Sequence, residues 1–393
     1  MKSNGNVRRI AALAMLLLAG ILAGAQLAKI APLVDWYQRE AGYSLVAIGW
    51  LTSILGLFVA LAALPAAFAI DRIGMYASFV GSSAALAVGG VILAAFDAPA
   101  AVLAGRLVEA LGYLAIVIAT PALLAALAPE RLKAPALAVW GGFVPLGYAF
   151  ADFSAAALLP AVRPQAYLMV VALCFAFCAA AAAILALGLK PVGEDVRDRA
   201  AASLGSTFNL PVGAVAAAFG AYVVLSLGFF SFLPSFAGDG TGAILLSAGF
   251  VALLAPFGNV LAGVLVEGRG ARFIAWLTVA GFLASAASAV PFFSSPDPAV
   301  ATAAAVVFAI AGGVVASALF ASIPSVVPVG GSVAVGIGLV AQSGGIGTLV
   351  GPPLAGYVIS EFAWPGFGWF LAVVSLIGVV CLMPMLRSRP LSA

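Results

Sequence analysis

The chain has 393 residues, 65% of them hydrophobic and only 8% charged, with a mean hydropathy of +1.22. That composition excludes an ordinary soluble domain and requires an integral membrane protein. The net charge of +3 is spread over loops without a basic tract, so nucleic acid is not an expected partner. Histidine is absent and Cys174, Cys178 and Cys381 sit in apolar runs, so no metal, cofactor or disulfide framework is expected. With no base beside a nucleophile, an enzyme is not expected either.

Continuous apolar runs rich in Ala, Leu and Gly predict helices of about 20–25 residues rather than barrel strands, which would alternate. The first span, 10–34, follows Lys2, Arg8 and Arg9. Its charged start, apolar run and Ala23-Gly24-Ala25 have the zones of a signal peptide. The run continues to about Val34, however, and cleavage would leave eleven spans, so a retained helix is expected. Spans at 45–70, 76–95, 99–127, 134–159 and 166–189 follow. Lys190 to Asn209 is the longest polar stretch. After it come 209–236, 242–266, 272–293, 298–326, 331–359 and 365–386, giving twelve spans split six and six. The expected organisation is a first bundle at 1–189, a cytoplasmic linker at 190–208 and a second bundle at 209–393.

Orientation follows from the placement of Lys and Arg. With the N-terminus inside, the inner loops collect the basic residues, among them Arg72, Arg131, Lys133, Lys190, Arg269 and Arg387, and the outer loops hold only Arg39 and Arg163. Both termini are therefore expected in the cytoplasm, in a multi-pass inner-membrane protein that meets lipid and acts as a monomer. Lys29 and Arg106 are the basic residues left inside spans.

A repeat lies between the second and third spans and between the eighth and ninth. The first copy is Asp71-Arg72-Ile73-Gly74; the second runs from Gly263 to Arg272 and includes Glu267 and Gly270. Each places a carboxylate three residues before a Gly, which permits a tight turn, while the acid can cap a helix or pair with an Arg. In this the chain resembles the major facilitator superfamily, whose loop between helices two and three reads Gly-x-x-x-Asp-Arg/Lys-x-Gly-Arg/Lys-Arg/Lys. Ala67, Met75 and Tyr76 depart from that pattern, so the inward-gate latch ascribed to it is expected to be weaker here. The resemblance implies an all-α fold of two pseudo-symmetric six-helix bundles around a midplane site, with Asp71, Arg72, Gly74, Glu267, Gly270 and Arg272 in gating.

The stretch Gly105-Arg106-Leu107-Val108-Glu109-Ala110-Leu111-Gly112-Tyr113 carries two charges three residues apart on one helical face. Charges in hydrocarbon cost a few kcal/mol on the gentlest scales, so the pair should face protein or water and mark a functional site. Counting about 1.5 Å per residue from the outer boundary places Arg106 roughly 10 Å deep, with Asp152 at a similar depth and Lys29 somewhat shallower. If their helices are neighbours, as the resemblance implies, Lys29, Arg106, Glu109 and Asp152 form one cluster. Each also has a structural reading: Arg106 can bind the backbone of the first helix, Lys29 can snorkel and Asp152 can hold helix five to helix four.

The second half has no charge within its spans. Its polar points include Tyr222, Ser226, Asn259, Ser317 and Gln342. Trp140 to Gly147 and Gly344 to Gly356 are Gly/Pro-rich in a way that suits close packing or a rocking bundle. Within the superfamily, Gly105 to Pro121, Trp140 to Gly147 and Gln342 to Gly356 resemble the cyanate and 2-nitroimidazole transporters and their anion-transporting relatives. The expected activity is proton-coupled secondary transport of a small anion or zwitterion, with an organic carboxylate as the favoured class. Arg106, Lys29, Tyr113, Gln342 and Tyr222 would bind substrate, and Glu109 and Asp152 would handle the proton. The alternative is proton-coupled efflux of an apolar or cationic compound.

Overall fold

In the computed structural model the described residues are 2–129, 140, 142–186, 207–236, 242–328, 331 and 333–387; they are helical apart from short turns, and none forms a strand. The first half comprises α1 (Lys2–Ala28), a 3-10 turn (Ala31–Leu33), α2 (Val34–Arg39), α3 (Leu45–Ile73), α4 (Met75–Ala95), α5 (Pro99–Leu127), α6 (Phe143–Leu158) and α7 (Pro164–Ala186). The second comprises α8 (Leu210–Phe236), α9 (Gly242–Val266), α10 (Ala271–Ser294), α11 (Pro298–Val326), α12 (Val333–Cys381) and α13 (Met383–Arg387). The expected linker lies outside the described residues apart from 207 and 208, as does most of 134–142.

Ten apolar helical stretches are long enough to cross a membrane, and α6 is a shorter apolar helix. The last stretch contains α12, in which two helices meet at Ala363 (φ 52, ψ −171). That conformation is nearly confined to glycine and costs about 1–3 kcal/mol, so the packing around it must impose it. Gly228 lies against both Ala355 and Leu371, so the second limb folds back beside the first. Ten stretches, the extra limb and α6 together make twelve apolar segments among the described residues.

Helix starts follow local chemistry. The Ser44 side chain caps α3 by accepting from Ala47 N at 3.2 Å, and Asp297 caps α11 by accepting from Ala299 N at 2.8 Å, with Pro298 at the first helical position.

Between helices in lipid the hydrophobic drive is weak, and close backbone approach at small residues takes its place. In the first half α1 crosses α6 at Gly24 and Gly147, where a Cβ on Gly24 would lie 2.1 Å from the Phe143 carbonyl oxygen. In the second half α8 meets α12 at Gly220 and Gly347, where a Cβ on Gly347 would lie 2.6 Å from the Gly220 carbonyl oxygen. The ends of the two halves remote from residues 29–44 repeat a tie as well. The Arg9 guanidinium donates to the carbonyl of Leu127 at the end of α5. Asn209 Nδ2 donates to the carbonyl of Val326 at the end of α11 (3.0 Å), and its Oδ1 accepts from Val212 N at the start of α8 (2.8 Å). Both ties satisfy helix-end groups that hydrocarbon would leave unpaired. Asn209→Ala loses a cap and a carbonyl partner together. It is expected to cost about 1–2 kcal/mol, read as a lowered thermal midpoint; an unchanged midpoint would remove the proposed tie.

The two halves meet where α3 packs on the first limb of α12 and α6 packs on α9. Ser53 Oγ donates to Thr348 O at 2.9 Å and Gln342 Nε2 to Ala60 O at 3.0 Å. Gly49 abuts Pro352 and Pro353, and Gly356 abuts Leu45. Farther along α3, Leu61 and Ile73 are exposed, as are Phe257 and Val264 on α9. The described contacts between the halves thus run along α3 from Leu45, beside residues 29–44, to Ala60.

The repeated loops use different glycines. Gly74 has φ 96 and links α3 to α4, a position glycine suits. In the second copy Gly268, not Gly270, takes positive φ (67), because the chain turns immediately after α9 ends at Val266; Gly270 is extended and precedes α10. Arg72, Glu267, Gly270 and Arg272 are exposed, and no ion pair joins Glu267 to Arg272 among the described residues; the Asp71 side chain is outside them.

Candidate functional site

Arg106 and Glu109 are brought into the interior by the packing of α5 on α4. Gly105 and Gly112 face α4, where a Cβ on Gly105 would lie 2.3 Å from Leu93 Cδ1 and one on Gly112 would lie 2.7 Å from the Ser82 carbonyl oxygen. Gly89 makes room for the acid: a Cβ there would stand 2.5 Å from Glu109 Cγ. The two helices can therefore close over a charged pair.

The Lys29 ammonium binds Glu109 Oε1, and Arg106 Nη1 binds Glu109 Oε2 at 2.7 Å. All three side chains are fully buried. Arg106 also holds two helices by their backbones, donating from Nη1 to the carbonyl of Gln26 in α1 (3.1 Å) and from Nε to the carbonyl of Leu51 in α3 (2.5 Å). The guanidinium is therefore a junction of α1, α3 and α5. Its Nη2 has no hydrogen-bond partner among the described residues, and neither amide atom of the buried Gln26 side chain has one.

Lys29 does not snorkel. It follows the end of α1, its N–H closing the last turn on Ala25 O at 2.8 Å, and its side chain is spent on Glu109. The network holds two cations and one carboxylate.

Asp152 stands apart from that network. It is 2% exposed on α6, makes no ion pair among the described residues, and its Oδ1 is buried without a hydrogen-bond partner among them. One turn earlier on the same face, Tyr148 shares a hydrogen bond of 2.9 Å with Ser231 of α8, across the junction between the halves, and its ring packs against Phe230 with centroids 5.4 Å apart. Tyr113 is buried on α5 one turn beyond Glu109. The structure thus separates the four expected charges into a network of three and a lone acid beside tyrosines.

The other expected residues are dispersed. Tyr222 and Ser226 line a small cavity in the second half with Phe230, Phe308 and Gly312. Gln342 is spent on the backbone of α3. A larger groove, about 340 Å³ and apolar, lies among Leu18, Leu22, Phe150 and Leu173, and none of the charged residues lines it. Gln26, Tyr148 and Ser231 escaped the sequence reading because they carry no charge. The four-residue spacing of Tyr148 and Asp152 was the one available signal for them.

The model of the Major Facilitator Superfamily matches residues 16–335. No curated protein matches the chain. Among solved structures, the chain is similar to a bacterial homologue of the human lysosomal transporter Spinster in an inward-facing, unoccupied conformation, with a TM-score of 0.72, 19% identity and 96% of each chain covered. The same description with an inward-facing, occupied conformation applies to a second, with a TM-score of 0.70, 20% identity, and 96% of this chain and 94% of that chain covered. At such identities the likeness speaks for the fold. The family match spans most of the sequence and accords with the twelve apolar segments and the repeated packing of the halves: the chain belongs to the major facilitator superfamily, as a multi-pass membrane transporter.

Proposed function

We propose that the protein carries a small anion or zwitterion, with an organic carboxylate as the favoured class, across the inner membrane by alternating access of its two bundles, coupled to protons. The observation that carries this reading is the buried network of Lys29, Arg106 and Glu109, whose two cations and single carboxylate leave an excess positive charge within that network. An anionic substrate completes the charge balance, and Arg106 Nη2 and the Gln26 amide are the donors left for it. Buried charge of this kind is costly in a membrane and marks transport sites. The distribution of Lys and Arg supports cytoplasmic termini, and with them an outer position for the end that holds residues 29–44.

Asp152 is the favoured proton carrier. Both oxygens of Glu109 are committed to cations, whereas Asp152 has none, so a proton can come and go there without dismantling the network. The expected result for Asp152→Asn in proteoliposomes is retained substrate exchange with loss of the acceleration given by an imposed pH gradient. Full acceleration in that variant would transfer the proton role elsewhere.

A second reading, efflux of an apolar or cationic compound, is supported by the same lone carboxylate together with a second half rich in aromatic rings, where Phe229 stacks on Phe308 at 4.3 Å. Direction-resolved flux of anionic and cationic candidates, chosen from those that raise the thermal midpoint, separates the two.

A further inference from the structure

One face of α10 is left uncovered by the rest of the chain. The helix packs on α11 and α12 and buries Ile274, Ala275, Val279 and Phe282. Away from those residues, Arg272, Phe273, Trp276, Ala280 and Leu283 recur at three- and four-residue steps and are exposed, Trp276 by 54%. α10 is long and apolar enough to span a membrane, so its uncovered stripe faces hydrocarbon there.

The start of that stripe is basic. Arg272 belongs to it, and Arg269, in the turn before α10, lies over the Phe273 ring at 5.1 Å, which holds the guanidinium beside the stripe. Neither arginine has an ion pair among the described residues, and Glu267, the nearest acid in sequence, pairs with neither. α13 also packs on α10, with Leu382 and Met385 in the same buried cluster as Ala275, and it ends at exposed Arg387. The exposed stripe of α9 ends in the opposite charge, since Val260 and Val264 lead to Glu267.

We propose that this edge of α10 seats an anionic phospholipid, with its phosphate on Arg269 and Arg272 and an acyl chain along Phe273, Trp276 and Leu283. The occupant follows from charge and place. Two cations without counter-ions among the described residues call for an anion, and the guanidinium fork matches phosphate oxygens. The apolar stripe starts at the same turn, so an anion that carries its own hydrocarbon chain satisfies both features, whereas a soluble phosphate satisfies one. The second copy of the repeated loop, in which Glu267 and Arg272 form no ion pair, thereby binds lipid.

The test uses the full chain in phosphatidylcholine vesicles with increasing fractions of phosphatidylglycerol whose brominated chains quench tryptophan on contact. Brominated phosphatidylcholine is the zwitterionic control, and the part of the quenching lost in Trp276→Phe reports on this stripe. An arginine near a membrane surface is worth about fivefold in affinity for anionic lipid. Trp276 should therefore be half-quenched at a fraction of brominated phosphatidylglycerol roughly 25-fold lower than of brominated phosphatidylcholine. Arg269→Gln combined with Arg272→Gln, both exposed positions, should bring the two lipids together, and Glu267→Gln should widen the gap. Equal quenching by the two lipids in the unaltered protein, or a preference that survives in the double variant, overturns the proposal. Displacement of brominated phosphatidylglycerol by inorganic phosphate would mean that the headgroup alone is recognised, and would overturn the seat along α10.

Discussion

Glu109→Gln is expected to destabilise the protein by about 3–5 kcal/mol, the cost of leaving buried charge without its counter-ion. The side chain is nearly isosteric, so the loss is electrostatic. One carboxylate holds Lys29 through Oε1 and Arg106 through Oε2, all three buried, and an amide would turn at least one N–H toward a cation. Lys29→Met should behave differently. It leaves Arg106 and Glu109 as a one-to-one pair and replaces a buried ammonium by an apolar side chain of similar length, a change that is often neutral or stabilising. Its thermal midpoint should match or exceed that of the unaltered protein, while substrate uptake falls at least about tenfold, or 1.4 kcal/mol, if the excess charge serves an anion. Thermal unfolding and uptake measured on the same preparations decide the point. Equal destabilisation by the two substitutions would mean that Lys29 is needed for the fold, and the case for a retained excess charge would lapse.

Gly147→Ala should be nearly as damaging although it adds one methyl group. Its Cβ would lie 2.2 Å from the Gly24 carbonyl carbon and 2.3 Å from the Ala25 nitrogen, and these are backbone atoms of α1 that cannot swing aside. Overpacking a tight contact costs about 1–3 kcal/mol, occasionally more, and the upper end is expected where two backbones must part. The separation would spread to the charged network, because α1 supplies the Gln26 carbonyl and leads directly into Lys29. Gly81→Ala provides the contrast: nothing lies within 4 Å of its added methyl and its φ is ordinary. There the helix propensity of alanine should add up to about 1 kcal/mol. Melting temperatures of the two variants should therefore move in opposite directions, and a Gly147→Ala protein that melts like the parent would contradict the close crossing of α1 and α6.

These two expectations show how unevenly the site was legible. Arg106 and Glu109 are three residues apart on one helix, so their pairing was local and could be read directly. Lys29 joined them through the depth argument, which held because its helix is packed against α5. Asp152 had the same claim by depth, yet depth is a single coordinate; the direction its helix face points is set by packing, and on α6 its carboxylate is buried apart from the network. Gln342 and Tyr222 looked alike as polar points in an apolar half, but one is spent on the α3 backbone and the other lines a cavity. In the repeated loop the carboxylate-to-glycine spacing correctly marked Gly74, while in the second copy the turn fell on Gly268, one residue after Glu267.

By itself the sequence determined that this is a polytopic helical membrane protein whose intramembrane charge is confined to its first half. Hydrocarbon leaves each span no alternative to satisfying its own backbone, and every intramembrane charge is expensive enough to be conspicuous. Only the tertiary structure decided which of those charges meet, that Arg106 ties three helices together, that Asp152 stands alone and that Tyr148 reaches across to Ser231. Those pairings join residues as many as 83 positions apart and depend on the rotation of each helix about its axis. That rotation is fixed by glycine contacts between helices, and hydropathy does not record it.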